Sequence, residues 1–365
     1  MNHSLPRMMV LILILAIAVP ALAAGPELPV AGLENRVEFW KKIYTQYGKD
    51  DIVIHDRFYV NLIYDVADES NVDSKLSAIN HALKDILSNI DTADSLGTVA
   101  LQLRDAIKAS GVQVNRKSIS DLIEGVHTQR GIKERFRDGI IRSGKYADSF
   151  RKIMNEHGVI PELALLPLVE SSFQNVRSKA AALGMWQFTR GTGKSYLTIN
   201  KKVDQRLDPQ KATIAAAKLL RDNYRALGNW PLAITAYNHG RAGMQRAKRE
   251  QGEDLPKIIT DYRGPVFGYA SMNFYTEFLA AIEVYQNYQQ YFGQLTLDKP
   301  TGTGTTTATA KAKAVQVAAT SKYKVKSGDT LHDIAVRFGT SIRQLMESNN
   351  LTKPAIYAGQ LLLIK

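Results

Sequence analysis

Residues 298–321 read DKPTGTGTTTATAKAKAVQVAATS, a run with no aromatic residue and few large apolar ones. Such a stretch cannot bury enough surface to offset the entropy of ordering it, so it is expected to be a flexible tether. The chain must therefore fold as two separate parts, a large one ending by residue 297 and a small one starting at residue 322. A length of 365 residues leaves room for two or three domains. With 45% hydrophobic and 22% charged residues, wholesale disorder and collagen-like repeats are excluded.

Of the net charge of +12, a surplus of +7 lies in residues 299–365, which hold 10 basic and 3 acidic side chains. That bias favours a polyanionic neighbour: nucleic acid, an anionic membrane or an acidic cell wall. Arg7 precedes an apolar run over residues 8–19, followed by Pro20-Ala21-Leu22-Ala23-Ala24. This has the form of a secretory leader cleaved after Ala23, and it is shorter than the roughly 20 residues that span a bilayer. Export to the periplasm or cell envelope is expected, with no nucleic-acid partner, no transmembrane segment in the mature chain, and membrane association left open. Cysteine is absent, which excludes disulfides, thiolate metal sites, a cysteine nucleophile and a lipidated cysteine.

The large part reads as helical almost throughout. Ile79, Leu83, Ile86, Leu87 and Ile90 recur at three- and four-residue steps, as do Leu96, Val99, Ala100, Leu103 and Ile107. No sustained two-residue alternation precedes the tether, so this part is expected to be mostly α. The small part differs. Tyr323-Lys324-Val325-Lys326 alternates as a strand, and Ser327-Gly328-Asp329-Thr330 makes a turn and helix cap. Two short helical patterns follow, then residues 356–364 close with a turn and a strand. This βααβ order resembles the LysM module over its whole length, through the SGDTL turn, the Asn349-Asn350 pair and the GQ before the last strand. The resemblance implies binding to N-acetylglucosamine-containing polymers in a groove formed by Gly328, Asp329, Thr330 and Leu331 on one side and the segment from Asn350 to Ile356 on the other.

Chemistry is expected near Glu170. The run from Pro161 to Glu170 is apolar except at Glu162 and Glu170, and Pro161 and Pro167 both suit the first turn of a helix. A carboxyl ending such a run is partly desolvated, which raises its pKa and keeps it protonated as a general acid. The plain alternative is a solvent-facing helix end. No Asp or Glu stands between Glu170 and Asp204, and Asp204 beside Arg206 reads as a structural ion pair. The intervening and following residues suit a saccharide groove: Ser171, then Gly184-Met185-Trp186-Gln187-Phe188, then Ala236-Tyr237-Asn238. Individually, Trp186 and Tyr237 could be plain core residues.

Taken together, Glu170-Ser171-Ser172-Phe173, Gly184-Met185-Trp186-Gln187-Phe188 and Ala236-Tyr237-Asn238 resemble, in order and spacing, the three motifs of the soluble-type lytic transglycosylase catalytic domain. Residues 203–209, Asn229-Trp230-Pro231 and the lead-in at residues 133–136 and 143–146 look like the membrane-bound branch of that family. The resemblance covers residues 125–285. It implies a lysozyme-like helical fold, preceded here by a helical N-terminal extension and followed by the LysM domain. The expected boundaries are 1–23 leader, 24–124 helical N-terminal region, 125–297 catalytic domain, 298–321 tether and 322–365 LysM.

The resemblance further implies cleavage of the β-1,4 bond between N-acetylmuramic acid and N-acetylglucosamine without water, leaving a 1,6-anhydro end. Glu170 would act as acid and then base, with no second acid opposite it. The substrate's acetamide would take up the positive charge that a second carboxylate handles in most glycosidases. Gln187 would hold an acetamide or hydroxyl, Gly184 would allow close backbone approach, and Met185 and Trp186 would serve as floor or support. Tyr237 and Asn238 would form the far wall, with Ser171 near the cleaved bond. Neither cofactor nor metal is expected, the partner is the peptidoglycan glycan strand, and the chain is expected to be a monomer. The sequence departs from the pattern in three places. The loop from Phe173 to Gly184 is one residue short, with Gln174-Asn175 where Asn-Pro is common. Ala181 stands where Gly is common. The last motif's tyrosine is either Tyr269 or Tyr275, with Phe274 nearest in register. Two other readings remain: a hydrolytic muramidase like goose-type lysozyme, and a non-catalytic wall-binding scaffold.

Overall fold

The computed structural model describes residues 28–92, 95–300 and, in the C-terminal part, 321–325, 359–364 and single positions between them. The expected leader, and the expected tether apart from residues 298–300 and 321, lie outside the described residues. The chain divides into two compact units on either side of residues 301 and 302.

The large unit begins with α1 (Glu34–Thr45), β1 (Ile52–Asp56), β2 (Ile63–Ala67), α2 (Val72–Ser88), α3 (Thr98–Ala109), α4 (Arg116–Gly125) and β3 (Val126–Arg130). It continues with α5 (Lys133–Ser143), α6 (Ala147–Glu156), a 3₁₀ turn at Pro161–Leu165, α7 (Pro167–Glu170) and α8 (Arg190–Lys194). A second 3₁₀ turn at Gln205–Leu207 leads to α9 (Pro209–Leu227), α10 (Trp230–His239), α11 (Arg241–Gln251), α12 (Leu255–Asp261), α13 (Tyr269–Gln286) and α14 (Tyr288–Phe292). Local chemistry sets several of these boundaries. The Asp208 carboxylate accepts from the Lys211 amide at 3.0 Å and Pro209 opens α9. Gly228, at φ 90°, closes α9 in the left-handed conformation.

The large unit has two hydrophobic cores. The main one gathers α1, α5, α6, α7, α9, α10 and α13, with Trp40, Phe136, Phe150, Trp186 and Phe278 inside it. The second lies under α2, α3 and α4, and it holds Ile79, Leu83, Ile86, Leu96, Ala100, Leu103 and Ile107 as the helical spacing predicts. Val99 leaves that stripe and is 61% exposed, because it stands on the first turn of α3 at the edge of the buried face. The N-terminal segment whose role the sequence left open thus divides: α1 belongs to the main core, and α2 to α4 build the second.

Between these cores lies an antiparallel sheet in the order β2-β1-β3, an element the helical reading of the N-terminal region did not contain. Its absence from the sequence pattern has a physical cause. All five residues of β1 are buried, so the strand shows no polar alternation. Val53 and His55 face the main core while Ile52 and Ile54 face the second, in keeping with the two-residue period. β3 pairs with β1 through His55 opposite His127, so the sheet bridges the expected boundary at residues 124 and 125.

In the small unit, β4 (Ser321–Lys324) and β5 (Leu361–Ile364) pair antiparallel, with Tyr323 opposite Leu362. The core contains Val325, Leu331, Ile334, Leu345, Leu362 and Ile364. The Asn349 side chain docks on the β5 backbone: its Nδ2 donates to the Leu363 carbonyl at 2.9 Å and its Oδ1 accepts the Leu363 N–H at 2.6 Å. Leu331, Ile334, Leu345 and Met346 are helical, where the two helices are expected, and most of the remaining helical positions lie outside the described residues. So do Gly328, Asp329, Thr330 and Asn350 of the expected glycan groove. Leu331 is buried in the core and Ile356 packs against it, so their side chains support that region from inside.

Tyr44 of α1 and Phe136 of α5 stack face to face in the main core, with centroids 4.2 Å apart. Phe136→Ala is expected to lower the stability of the large unit by about 3–5 kcal/mol in urea unfolding. A loss below about 1 kcal/mol would show that α1 is not part of this core.

Candidate active site

Glu170 is the last residue of α7, a single turn opened by Pro167 after the 3₁₀ turn that Pro161 opens. The chain then reverses sharply. The Ser171 and Phe173 amides both donate to the Pro167 carbonyl, at 3.1 and 3.0 Å, while Ser172 and Phe173 take φ of 53° and 58°. Two successive left-handed residues with side chains are costly, of order 1 kcal/mol or more each. α5 holds them in place. Arg135 Nε donates to Ser172 Oγ at 3.2 Å and Arg142 Nε to the Ser172 carbonyl at 2.8 Å. Gly139 lets α5 approach closely, since a Cβ there would meet the Ser172 Cβ at 3.0 Å.

The next loop is clamped against this turn. Ser171 Oγ, fully buried, donates to the Met185 carbonyl at 2.8 Å, and Tyr237 Oη donates to the Trp186 carbonyl at 2.8 Å. Asn175 accepts the Met185 N–H and donates to the Leu207 carbonyl. Gly184 stands at φ 87° where a Cβ would collide with the Arg206 carbonyl oxygen, so the close approach it permits is to the protein's own backbone. Arg206, itself buried, forks onto Asp204 at 2.9 and 2.7 Å and reaches the Phe188 carbonyl at 3.1 Å. Asp204 is therefore held as a structural carboxylate, kept below its ordinary pKa by these bonds. Gln187, at φ 48°, donates from Nε2 to the Val176 and Gly184 carbonyls at 3.0 and 2.7 Å. Among the described residues its side-chain oxygen receives no protein donor, which leaves an acceptor for an N–H or O–H of a ligand.

Several expected contact residues act from beneath instead. Trp186 is fully buried, donating to Thr213 Oγ1 at 2.9 Å, and Met185 is buried beside it. Tyr237 is partly accessible and stacks in parallel with Phe274, centroids 6.4 Å apart. Asn238 is exposed and accepts from Ser271 Oγ at 3.1 Å, with its amide nitrogen open. Tyr275 turns away: it is buried, its hydroxyl donates to the Pro29 carbonyl at 2.9 Å, and it lines a separate pocket of about 380 Å³ with Tyr224 and Trp230. Tyr269 opens α13 and its hydroxyl meets His55 Nε2 at 3.1 Å.

The electrostatics centre on two acids. Glu170 keeps partial access to water in a largely protein-lined recess, and its carboxyl has no protein hydrogen bond or cation among the described residues. Desolvation raises its pKa to about 8, with a further push from the negative charge of Glu277. Glu277, on α13, is likewise raised to about 8 by desolvation. The expectation of no second acid near Glu170 is therefore corrected. A signal for it exists in the sequence: Glu277 sits between Tyr275 and Phe278 in α13, which carries no Lys or Arg to pair with it. Both Tyr237, near Glu170, and Tyr269, near Glu277, are held well above the usual phenol range by burial, so both remain neutral donors. Among the described residues, no group of three or more His, Asp or Glu could hold a metal ion, and no helix is long and apolar enough to cross a membrane.

Residues 148–259 match the transglycosylase SLT domain and residues 323–365 the LysM domain. Over 118 residues the chain is 33% identical to membrane-bound lytic murein transglycosylase D of Escherichia coli strain K12, covering 32% of this chain and 26% of that relative. It is 52% identical over 42 residues to a probable N-acetylmuramidase of Lactococcus lactis subsp. cremoris, covering 12% of this chain and 10% of the relative. It is also 48% identical over 46 residues to the cell wall-binding protein YocH of Bacillus subtilis strain 168, covering 13% and 16%. The chain spans about a quarter of the length of the first of these relatives. It carries a transglycosylase SLT domain and a LysM domain, two domains associated with peptidoglycan. The SLT match ends before α13, so Glu277 and Tyr269 lie outside it.

Ala181 stands in the loop at φ 62°, exposed, where the family commonly has glycine. Ala181→Gly is expected to raise the unfolding midpoint, by about 1 kcal/mol of relieved backbone strain, because a glycine adopts this conformation freely. A lower midpoint in thermal melting would contradict that.

Proposed function

We propose that the large unit is a lytic transglycosylase that cleaves the β-1,4 bond between N-acetylmuramic acid and N-acetylglucosamine in peptidoglycan and leaves a 1,6-anhydro end. The observation that carries this is the Glu170 carboxyl, desolvated and without a counter-ion at the end of α7. A carboxyl that stays protonated to about pH 8 can donate to the glycosidic oxygen as the bond from the anomeric carbon breaks. The resulting carboxylate then takes the proton of the sugar's own C6 hydroxyl, whose oxygen closes on the anomeric carbon. No water is consumed and Glu170 ends protonated. The substrate's acetamide supports the positive charge between the two steps. The free oxygen of Gln187 and the open amide of Asn238 are suited to acetamide and hydroxyl groups, while Ser171, Met185, Trp186 and Tyr237 hold the loop that presents Gln187.

Glu277 keeps a second reading alive, a hydrolytic muramidase in which a second carboxylate activates water. Its own desolvation weighs against this, since burial raises its pKa and disfavours the carboxylate form that a base requires. Two carboxyls in electrostatic contact also titrate as a pair, the first to ionise raising the other. That arrangement suits one proton shuttled at Glu170. The LysM unit would hold the enzyme on the insoluble glycan, raising the effective concentration of substrate. The leader-like N-terminus supports export to the periplasm or envelope, and a monomer suffices because the site is built from one chain.

Mass spectrometry of products released from purified sacculi tests the reaction: muropeptides should be lighter by one water than hydrolytic products, and products of hydrolytic mass would overturn the proposal. Glu170→Gln should abolish release, while equal inactivity of the parent chain would favour a scaffold. With Glu170 as the acid, kcat/KM should fall as pH rises through about 8. Stability follows the same sign. A folded-state pKa raised from 4.5 to about 8 means stability is full below pH 4.5 and declines as pH rises through 8. Glu170→Gln should reduce that decline in chemical unfolding, leaving the share that the likewise raised Glu277 contributes.

A further inference from the structure

We propose that Arg57 and Arg263, gathered on the ring of Phe58, form a binding site for the carboxylates of the peptides that the glycan strand carries. This rests on the reading of peptidoglycan as the substrate. Arg57 follows β1, anchored by its amide to the Gly125 carbonyl at 2.8 Å, and its guanidinium stands 5.4 Å from the Phe58 centroid. Arg263 follows α12, and its guanidinium stands 5.2 Å from the same centroid. Phe58 is fixed in turn, because its carbonyl accepts from Arg36 at 2.7 Å.

Two guanidinium groups on one ring repel each other, and no carboxylate among the described residues pairs with them. The adjacent acid, Asp56, is occupied: one oxygen accepts the Phe58 and Tyr59 amides at 2.8 and 2.7 Å, and the other faces the Tyr64 hydroxyl. Arg263 makes one hydrogen bond, to the neighbouring Tyr262 carbonyl, and is otherwise exposed. Arg57 Nε is buried with no partner at all. A carboxylate seated on the two guanidinium groups would supply the missing counter-charge through paired N–H···O bonds. Arginine rather than lysine at both positions suits that two-pronged contact.

The cluster lies in the same unit as Glu170. Arg57 is within electrostatic reach of His127 and Tyr269, whose tilted rings lie 4.0 Å apart, and Tyr269 opens α13, the helix that carries Glu277. Peptides in peptidoglycan hang from N-acetylmuramic acid, the sugar whose bond is cut, and they carry free carboxylates. A cationic site in this unit would therefore distinguish peptide-bearing from bare glycan, a choice the catalytic motifs do not encode.

The test measures binding of soluble glycan oligomers to the full chain carrying Glu170→Gln, so that the ligand survives. One set of oligomers bears its peptides and the other has had them removed by an amidase; LysM binding contributes to both. Arg57→Gln with Arg263→Gln is expected to weaken the peptide-bearing oligomer about tenfold or more and the bare one less than about twofold. Arg57→Lys with Arg263→Lys should retain part of the difference. Arg263→Gln alone, at an exposed position, should weaken the peptide-bearing oligomer by about threefold and keeps the test valid if the double variant does not fold. Equal weakening for both oligomers, or none for either, overturns the site. Cleavage by the parent chain is read separately. Selective weakening without any cleavage by the parent defeats the proposed reaction and leaves the site standing; cleavage without selective weakening does the reverse.

Discussion

A carboxyl group largely withdrawn from water with no cation paired to it is unstable unless it keeps its proton, and the surroundings of Glu170 favour that condition. The arginines bonded to the turn and loop after it are engaged elsewhere. Arg135 and Arg142 bind Ser172, and Arg206 binds Asp204 and the Phe188 carbonyl. Each arginine holds backbone in place without supplying charge to the acid. Had any of them paired with Glu170, the carboxylate would be favoured and the proton lost. The arrangement therefore separates two duties, with cations used for shape and desolvation used for reactivity.

Rigidity around the acid comes from accumulated local costs that the surrounding packing offsets. Ser172, Phe173, Ala181 and Gln187 all adopt left-handed backbone within about one loop's length of Glu170. Strain of this kind persists only where neighbours leave no alternative. Here the neighbours are Gly139 pressed on Ser172, Gly184 pressed on Arg206, and the buried hydroxyl of Ser171 tied to Met185. α13 provides the opposite support. It presents Phe274 to Tyr237, brings Glu277 within electrostatic range of Glu170 and sets Tyr269 on His55 of the central strand, so the N-terminal sheet and the turn at Glu170 are linked through one helix.

Legibility in the sequence followed the range of the interactions. The helical stripes at Ile79, Leu83 and Ile86, the prolines that open the 3₁₀ turn and α7, and the Asp204–Arg206 pair were all readable, since each depends on residues a few positions apart. The strand at residues 52–56 was not, because burial on both faces removes the alternation that marks a strand. Tyr275 was as good a candidate as Tyr269 by spacing, yet it lies on the face of α13 turned to Pro29. Trp186 was expected as floor or support and is fully buried, packed against Phe150 and Thr213.

The residue order of the chain determined the division into a helical part and a small βααβ part, the motif residues Glu170, Gln187 and Tyr237, and the apolar run that desolvates the acid. These depend on short stretches whose periodicity, capping and hydrophobicity act locally. Only the tertiary structure decided that Glu277, 107 positions further along, comes within electrostatic range of Glu170, and that Arg57 and Arg263 meet on one aromatic ring. Those meetings are set by how α13 packs on α1, α7 and α10 and how the loop after α12 returns to the sheet. Nothing in the local sequence encodes a distance between side chains that far apart along the chain.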